Sequence, residues 1–274
     1  MVGERTLVMG IINVTPDSFS DGGQLLDPKV AIDAGVRMVE DGADLLDIGG
    51  ESTRPGAQPT PEGEERRRIL PVIEALARRV QVPISVDTYK ASTADAALSS
   101  GASLVNDVSG LRYEPDLAAI VAKHGVPIVL MHTRGRSRDM YQQAVYSEVV
   151  DEVLDEVRES MAFAAGAGIP KEQMLVDPGL GFAKEAPHSF EVLSRLHQFA
   201  ELGRPIVIGP SRKTFLTKPL PRRDGDAGSR DWATSAAVTA AVLCGAHIIR
   251  VHAVKELAEV VRVADEIRKY HRDA

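Results

Sequence analysis

One strand–helix–strand unit of the sequence decides the fold, and it reads ISVDTYKASTADAALSSGASLVNDVSG from Ile84 to Gly110. The short apolar runs at 84–87 and 104–107 are rich in β-branched residues and predict strands that are buried on both faces. The Ala-rich segment at 91–99 predicts a helix, and Gly101 just after it favours a left-handed helix end. Two buried strands joined by one helix are typical of a parallel βαβ unit.

The same unit recurs along the whole chain of 274 residues. Buried strands are predicted over 7–14, 45–49, 84–87, 104–107, 128–131, 175–177, 206–208 and 247–251. Helices are predicted over 28–41, 61–79, 91–99, 115–124, 150–161, 188–202, 230–245 and 257–267. This alternation predicts an α/β protein that forms one (β/α)8 TIM barrel, a single domain over residues 1–274. A doubly wound open sheet is the alternative fold.

Composition and charge exclude several classes of protein. The chain has 32 Lys and Arg against 39 Asp and Glu, a formal net charge of −7, and no long basic run, so we expect no nucleic-acid partner. A single cysteine excludes a disulfide framework and favours a reducing cytoplasm. The uncharged stretch Trp232–Ile249 contains Thr, Ser, Gly and His, so it predicts a buried helix and strand and no membrane span.

Polar residues follow all eight predicted strands. In a barrel of this kind the active site lies at the C-terminal ends of the strands. Turn formation explains part of this pattern, because Asn, Asp and Gly also favour turns. Arg250 and His252 are two residues apart on a strand and therefore point to the same face. The polar strand ends include Asn13, Thr53, Arg54, Asp87, Asn106, Asp107, His132, Asp177, Ser211, Lys213, Arg250 and His252.

Eight stretches between Met9 and His252 read MGIINVTPDSFSDGG, IGGESTRPGA, SVDT, NDVSG, LMH, DPGLGFAK, GPSRKTFL and RVH. Together they closely resemble the dihydropteroate synthase family and stand in that family's order. The resemblance implies a (β/α)8-barrel transferase of folate synthesis. It would join 7,8-dihydropterin-6-ylmethyl diphosphate to 4-aminobenzoate and release diphosphate, with Mg²⁺ as the cofactor. It also implies a homodimer and a target of sulfonamides.

The resemblance assigns the pterin ring to residues at five strand ends. Asp177 would accept the paired N–H donors of the aminopyrimidinone edge, since a carboxylate binds such a pair in parallel. Asp87 and Asn106 would complete the recognition of that edge. Lys213 would donate to the ring carbonyl and ring nitrogen, and Met131 would line the slot.

The diphosphate requires positive charge in an acidic protein. By resemblance Arg250, His252, Thr53 and the loop residue Arg54 would hold it together with Mg²⁺, and Arg250 would also lie flat against the pterin. Since Mg²⁺ usually takes few protein ligands, Asn13 alone would suffice for the metal. No covalent nucleophile is needed. The expected catalytic residues are Asp177, Lys213, Arg250 and His252.

The aminobenzoate is expected under two loops, 14–23 and 51–58, which combine Pro and Gly with polar residues in the way of mobile lids. Asp17 and Asp21 would organise the first of these loops. The candidate aminobenzoate contacts are Phe19, Arg54, Pro55, Phe182 and Ser211.

Two other functions share parts of the pattern. A pterin-dependent methyltransferase would keep the Asp and Asn at the pterin edge but would need a cobalamin partner, whereas the Ser211-Arg212-Lys213 motif favours the synthase. A catalytically silent pterin-binding homologue is the second alternative, because Ala253 stands where relatives carry an Asp that orients the histidine. A further departure is Ala233-Thr234 in place of the usual Gly-Thr.

Two residues at strand ends have either a structural or a functional role, and one charged stretch has a structural interpretation. Asp107 either caps the next helix or joins the site, and His132 either lines the site or is structural. The charge run 62–68 predicts a solvated helix face.

Overall fold

The computed structural model describes residues 3–16, 27–220 and 230–270. Its eight strands are all parallel and pair in the order β6-β5-β4-β3-β2-β1-β8-β7. A bridge between Val176 and Ile206 brings the two outer strands together, which excludes the doubly wound open sheet. The strands are β1 Leu7–Asn13, β2 Leu45–Gly49, β3 Ile84–Asp87, β4 Leu104–Asp107, β5 Ile128–Met131, β6 Met174–Asp177, β7 Val207–Ile208 and β8 Ile248–Val251.

Eight α-helices alternate with these strands within the described residues. They are α1 Pro28–Glu40, α2 Glu62–Ala77, α3 Ala91–Ser99, α4 Leu117–His124, α5 Val149–Gly166, α6 Ala186–Ser194, α7 Asp231–Leu243 and α8 Val254–Tyr270. The predicted helix over 188–202 is two pieces, because a 3₁₀ helix, Leu196–Leu202, follows α6. Its tighter turn of three residues keeps Leu196 and Phe199 on one buried side.

The barrel interior has two layers, and the alternation of side chains along each strand produces both. The lower layer is apolar and consists of Leu7, Met9, Leu45, Leu104, Val129, Leu175, Val207 and Ile248. Two residues further along five of these strands, toward their C-terminal ends, the inward side chain is Asp47, Asn106, Met131, Asp177 or Arg250. The fold therefore places a largely polar layer directly above the apolar layer.

Helix α7 is less buried than the sequence predicts. Its Trp232 is 87% exposed, whereas Thr234, Val238 and Ala241 on the opposite side are buried. The absence of charged residues from the stretch Trp232–Ile249 therefore reflects its many small residues, and the helix is not buried on every side. Among the described residues, no helix has both the length and the apolar character needed to cross a bilayer.

Candidate active site

A buried ion network occupies the upper layer of the barrel. The guanidinium of Arg250 donates to Asp47 through Nε at 2.5 Å and to Asp87 through Nη2 at 2.6 Å. The side-chain amide of Asn106 donates to the same Asp47 oxygen at 2.9 Å. Strands β2, β3, β4 and β8 thus join in one network, because their inward side chains lie at the same height.

Asp47 is a site residue that the sequence analysis missed. Its side chain is fully buried, and its Oδ1 has no hydrogen-bond partner among the described residues. The sequence did contain an indication of a buried acid, since Asp47 is the lone acidic residue in the apolar strand Leu-Leu-Asp-Ile-Gly. Buried carboxylates require partners, and Arg250 is the partner that the next-but-one strand in the sheet supplies.

The charges of this network do not balance. Two carboxylates, Asp47 and Asp87, share the single guanidinium of Arg250, which leaves one buried negative charge without a cation when both acids are ionised. Burial raises the pKa of Asp87 to about 7, although the Arg250 charge opposes the shift and the Asp47 charge adds to it. A ligand that donates hydrogen bonds would compensate this excess of acceptors.

Asp177 and Lys213 form the second part of the upper layer. The Asp177 carboxylate accepts the backbone N–H of Gly179 at 2.7 Å; burial raises its pKa, and the Lys213 charge opposes the shift. The Lys213 ammonium donates to the Leu180 carbonyl and lies 4.4 Å from the centre of the Phe182 ring. Burial lowers the pKa of Lys213 to about 8, so the residue remains mostly protonated at neutral pH.

His252 is oriented by a hydroxyl. Its Nδ1 lies 2.9 Å from the Ser211 Oγ, and its Nε2 lies 3.5 Å from the Asn13 side-chain nitrogen. Burial and the nearby guanidinium groups of Arg212 and Arg250 lower its pKa to about 3. The imidazole is therefore neutral, and it contributes hydrogen bonds to this region but no charge. Ser211 supplies the orientation that a carboxylate at position 253 was expected to give.

One open cavity of about 800 Å³ lies above this layer. Among the sequence-predicted site residues, its lining contains Asn13, Thr53, Arg54, Pro55, Asp87, Phe182, Ser211, Lys213, Arg250 and His252. Asn106, Met131 and Asp177 are not in the lining and are buried. Phe19, Asp17 and Asp21 lie outside the described residues.

The sequence analysis also missed residues at the rim. Arg212 and Arg230 line the cavity, and so do Met140 and Tyr141 from the segment after β5. Arg212 pairs with Asp231 at 2.8 Å, and Arg230 donates to the Arg212 carbonyl at 2.9 Å. Neither Met140 nor Tyr141 follows a strand directly, so a search for polar residues at the ends of predicted strands could not identify them.

The structure shows the surroundings of Asp107 and His132, whose roles were left open, and the exposure of the charged stretch 62–68. Asp107 accepts the backbone N–H groups of Ser109 and Leu111, so it fixes the turn after β4. His132 is buried between Lys184 and Glu156 and does not line the cavity. The prediction of a solvated face over 62–68 is wrong for Glu65, which is fully buried because Lys90 attracts its carboxylate inward.

The fold and the site define a class of protein, namely a (β/α)8-barrel enzyme with a polar layer that binds a small molecule at the C-terminal strand ends. The sequence matches the family described as "Pterin binding enzyme" over residues 9–252. The chain belongs to this family and, within it, to the dihydropteroate synthases, which are transferases of folate synthesis.

Known relatives agree over nearly the full length. The dihydropteroate synthase of Synechocystis sp. is 43% identical over 265 residues, which cover 97% of this chain and 91% of the relative. A crystal structure of the Yersinia pestis dihydropteroate synthase with a sulfonamide drug complex superposes with a TM-score of 0.92 at 39% identity, covering 97% and 95% of the two chains. The Xanthomonas albilineans enzyme in complex with 7,8-dihydropteroate gives 0.86 at 39% identity, covering 97% and 94%.

Proposed function

We propose that the chain joins 7,8-dihydropterin-6-ylmethyl diphosphate to 4-aminobenzoate in the cavity above the polar layer. The observation that carries the proposal is the surplus of buried acceptors, Asp47, Asp87 and Asp177, beneath a rim that holds arginines. A pterin presents several N–H donors along one edge, and its diphosphate tail is anionic. The two halves of the substrate therefore match the two halves of the cavity.

For the ring, we propose that the Asp177 carboxylate binds the aminopyrimidinone edge, together with Asp87 and Asn106. Lys213 would exchange its present bond to the Leu180 carbonyl for the ring carbonyl and ring nitrogen. Met131 packs with Tyr89 and Val108, and Phe182 lies against this cluster. These apolar side chains suit the flat faces of a heterocycle.

For the diphosphate, Thr53 and Arg54 from the loop after β2 and His252 from the end of β8 are the proposed ligands. Arg250 is bonded to two carboxylates, so we propose that its main contribution is to hold the polar layer and to lie against the pterin. The arginines at the rim then supply most of the positive charge.

The donor set fits a Mg²⁺ ion that arrives with the diphosphate. Among the described residues, no group of three His, Cys, Asp or Glu side chains is placed to hold a metal, so this part of the chain offers no cage of its own. Asn13 lines the cavity beside His252, and we propose its carboxamide oxygen as the protein ligand. Mg²⁺ commonly takes its other ligands from phosphate oxygens and water. When bound, it would neutralise charge on the departing diphosphate.

We propose that the reaction breaks the bond between the pterin methylene carbon and the diphosphate oxygen, and forms one between that carbon and the aminobenzoate nitrogen. The electron-rich pterin stabilises positive charge at the methylene carbon, and the rim stabilises the negative charge of the leaving group. The arylamine is neutral and nucleophilic, so positioning is its main requirement, and its extra proton departs with the products. Pro55, Phe182, Ser211 and Arg54 are the proposed contacts of the aminobenzoate, with Phe19.

The test is release of diphosphate from the two purified substrates with Mg²⁺. We expect release that requires both 4-aminobenzoate and the metal, and a product with the mass of 7,8-dihydropteroate. Release at background level with a folded protein would contradict the proposal and favour a silent pterin-binding homologue. Methyl transfer with a cobalamin protein, and no diphosphate release, would favour the methyltransferase.

The pH dependence of the reaction follows from two shifted groups. We expect a bell-shaped profile of kcat/KM for the pterin diphosphate, because the ring needs ionised Asp87 and protonated Lys213. As the pH falls below about 7, Asp87 takes up a proton and loses the charge that strengthens its hydrogen bonds to the ring; as the pH rises above about 8, Lys213 loses its proton. Steady-state rates across the neutral range measure both limbs, which belong to the coupled network and not to isolated groups.

Two variants test which residue causes the fall of kcat/KM at low pH, the acid limb of the profile. Asp87→Asn is expected to remove it and leave the alkaline limb. His252→Asn is expected to keep it, since the pKa of His252 is about 3. A profile that loses its acid limb in the His252 variant and keeps it in the Asp87 variant would contradict the assignment.

We also infer a homodimer in the cytoplasm. Trp232 of α7 and Val263, Ile267 and Tyr270 of α8 are exposed large apolar side chains on two helices that pack together, which supports a subunit contact there. The single cysteine supports a reducing compartment.

A further inference from the structure

Two buried lysines lie behind the cavity, and neither has a role in the proposed reaction. Lys90 follows β3 and is 6% exposed, and Lys184 follows the turn after β6 and is 1% exposed. A lysine ammonium has three N–H donors. In both residues the nitrogen lies within hydrogen-bond distance of three acceptors, which is a complete set of partners for an ammonium group within the protein.

The three acceptors of Lys90 include both ends of one loop. Its Nζ lies 2.6 Å from Glu51 Oε2 and 2.7 Å from the Thr60 carbonyl, and it also contacts the Glu65 carboxylate. The backbone N–H of Thr60 donates to the same Glu51 oxygen at 2.8 Å. Residue 51 begins the loop after β2 and residue 60 ends it, so one ammonium closes the base of the loop 51–60.

The loop 51–60 is the one that carries the proposed contacts Thr53, Arg54 and Pro55. Its tip is linked to the segment after β5, because the Gly56 N–H donates to the Ser137 carbonyl at 2.8 Å. Most other residues of the loop are exposed or half-buried. The buried ion cluster at its base is therefore the main fixed point from which Thr53 and Arg54 reach the cavity.

The three acceptors of Lys184 lie on the other side of the site. Its Nζ is 2.7 Å from His132 Nδ1, 3.3 Å from the Gly179 carbonyl and 3.2 Å from the Phe182 carbonyl. His132 Nε2 is 3.2 Å from Glu156, so a ring proton on Nε2 leaves Nδ1 to accept from the lysine. A charged or a neutral amine retains at least two donors for these acceptors.

The segment held by Lys184 is the turn 178–183 after β6. This turn carries the Leu180 carbonyl that accepts Lys213 and the Phe182 ring that lines the cavity. Its Gly179 N–H is also the donor that fixes Asp177. A change in this turn would therefore act mainly on the proposed pterin contacts, and through Phe182 on one proposed aminobenzoate contact, but not on the anchoring of the loop 51–60.

We propose that Lys90 and Lys184 are positioning residues, each of which anchors one of the two segments that meet the substrates: Lys90 the loop 51–60 and Lys184 the turn 178–183. The assignment of substrates to the segments rests on the proposed function, whereas the anchoring does not. Removing either amine leaves buried acceptors without a donor, and such groups favour opening of the segment toward water.

Backbone hydrogen exchange of the full-length protein, read by mass spectrometry without substrates, tests the anchoring. Methionine is similar in length to lysine and lacks the donors. We expect Lys90→Met to speed exchange in 51–60 by about tenfold or more and to leave 178–183 unchanged, and Lys184→Met to do the reverse. Each variant is the matched control for the other, because both remove one buried amine with three acceptors.

Steady-state kinetics extend the test to the substrates. Lys90→Met should raise the KM for both substrates, because the loop 51–60 carries proposed contacts of the diphosphate and of the aminobenzoate. Lys184→Met should raise mainly the KM for the pterin diphosphate, through Asp177 and Lys213. Failure of the wild type to release diphosphate would contradict the proposed function and leave the exchange result intact. Glu51→Gln and His132→Gln, which keep the lysines, serve the same exchange measurement if a methionine variant does not fold. Equal changes in both segments, or none in a folded variant, would overturn the proposal.

Discussion

Replacing Asp177 by asparagine is expected to lower kcat/KM for the pterin diphosphate by about 100-fold to 1,000-fold, with little change in fold. The carboxylate is buried, and among the cations Lys213 has the largest electrostatic effect on it. Removing the charge from one side of a buried, charge-assisted hydrogen bond costs about 2–5 kcal/mol, a range that includes losses of 100-fold to 1,000-fold. The amide also presents a donor where the pterin edge requires an acceptor. Steady-state kinetics with varied pterin diphosphate measure the loss.

Asp107→Asn is the matched control for this prediction. Asp107 also ends a strand and is fully buried, but its oxygens accept from Ser109 and Leu111 in its own turn. We therefore expect the control to lower thermal stability and to leave the KM for the pterin nearly unchanged. Equal kinetic losses in the two variants would show that buried acids at strand ends act only through stability, and the role of Asp177 would be withdrawn.

Gly179→Ala is expected to lower the free energy of unfolding by more than about 3 kcal/mol, because strain and a steric clash act together. Gly179 has a φ of +72°, and an added Cβ would lie 2.0 Å from the His132 carbonyl oxygen. That oxygen is backbone at the end of β5 and has little room to move. Denaturant unfolding followed by circular dichroism measures the change.

Gly125→Ala separates strain from clash. Gly125 ends α4 with a φ of +64°, and a Cβ there would meet nothing within 4 Å. We expect this variant to lose only about 1 kcal/mol, the cost of the left-handed conformation for a residue with a Cβ. Similar losses at both positions would mean that the backbone at His132 moves aside, and that the packing between β5 and the turn 178–183 is looser than the distance implies.

The barrel was predictable from sequence because its signal is local and repeated. Each buried strand has a short β-branched run, such as Ile84–Asp87, and each is followed by a helix with its own periodicity. The strand ends also indicated the side of the barrel that carries the site. The alternation of inward side chains then brings Asp87 and Arg250 together, although they are 163 positions apart in the chain.

What sequence reasoning missed depends on partners from distant segments. Asp47 and Lys90 looked like ordinary charged residues, and only the sheet order shows that Arg250 and Glu65 meet them. Glu65 looked solvated because its neighbours along α2 are charged. The neutral state of His252 likewise arises from burial and from cations that include Arg212, Arg54 and Lys213 of other segments, which no local pattern reveals.

The layering of the barrel interior also bears on how a substrate approaches. The polar layer holds three carboxylates, Asp47, Asp87 and Asp177, against two cations, Arg250 and Lys213, whereas Arg54, Arg212 and Arg230 line the cavity above it. This separation gives the cavity an electrical polarity along the barrel axis. On the proposed function, we expect a molecule with a donor-rich ring and an anionic tail to bind with its ring toward the polar layer and its tail toward these arginines.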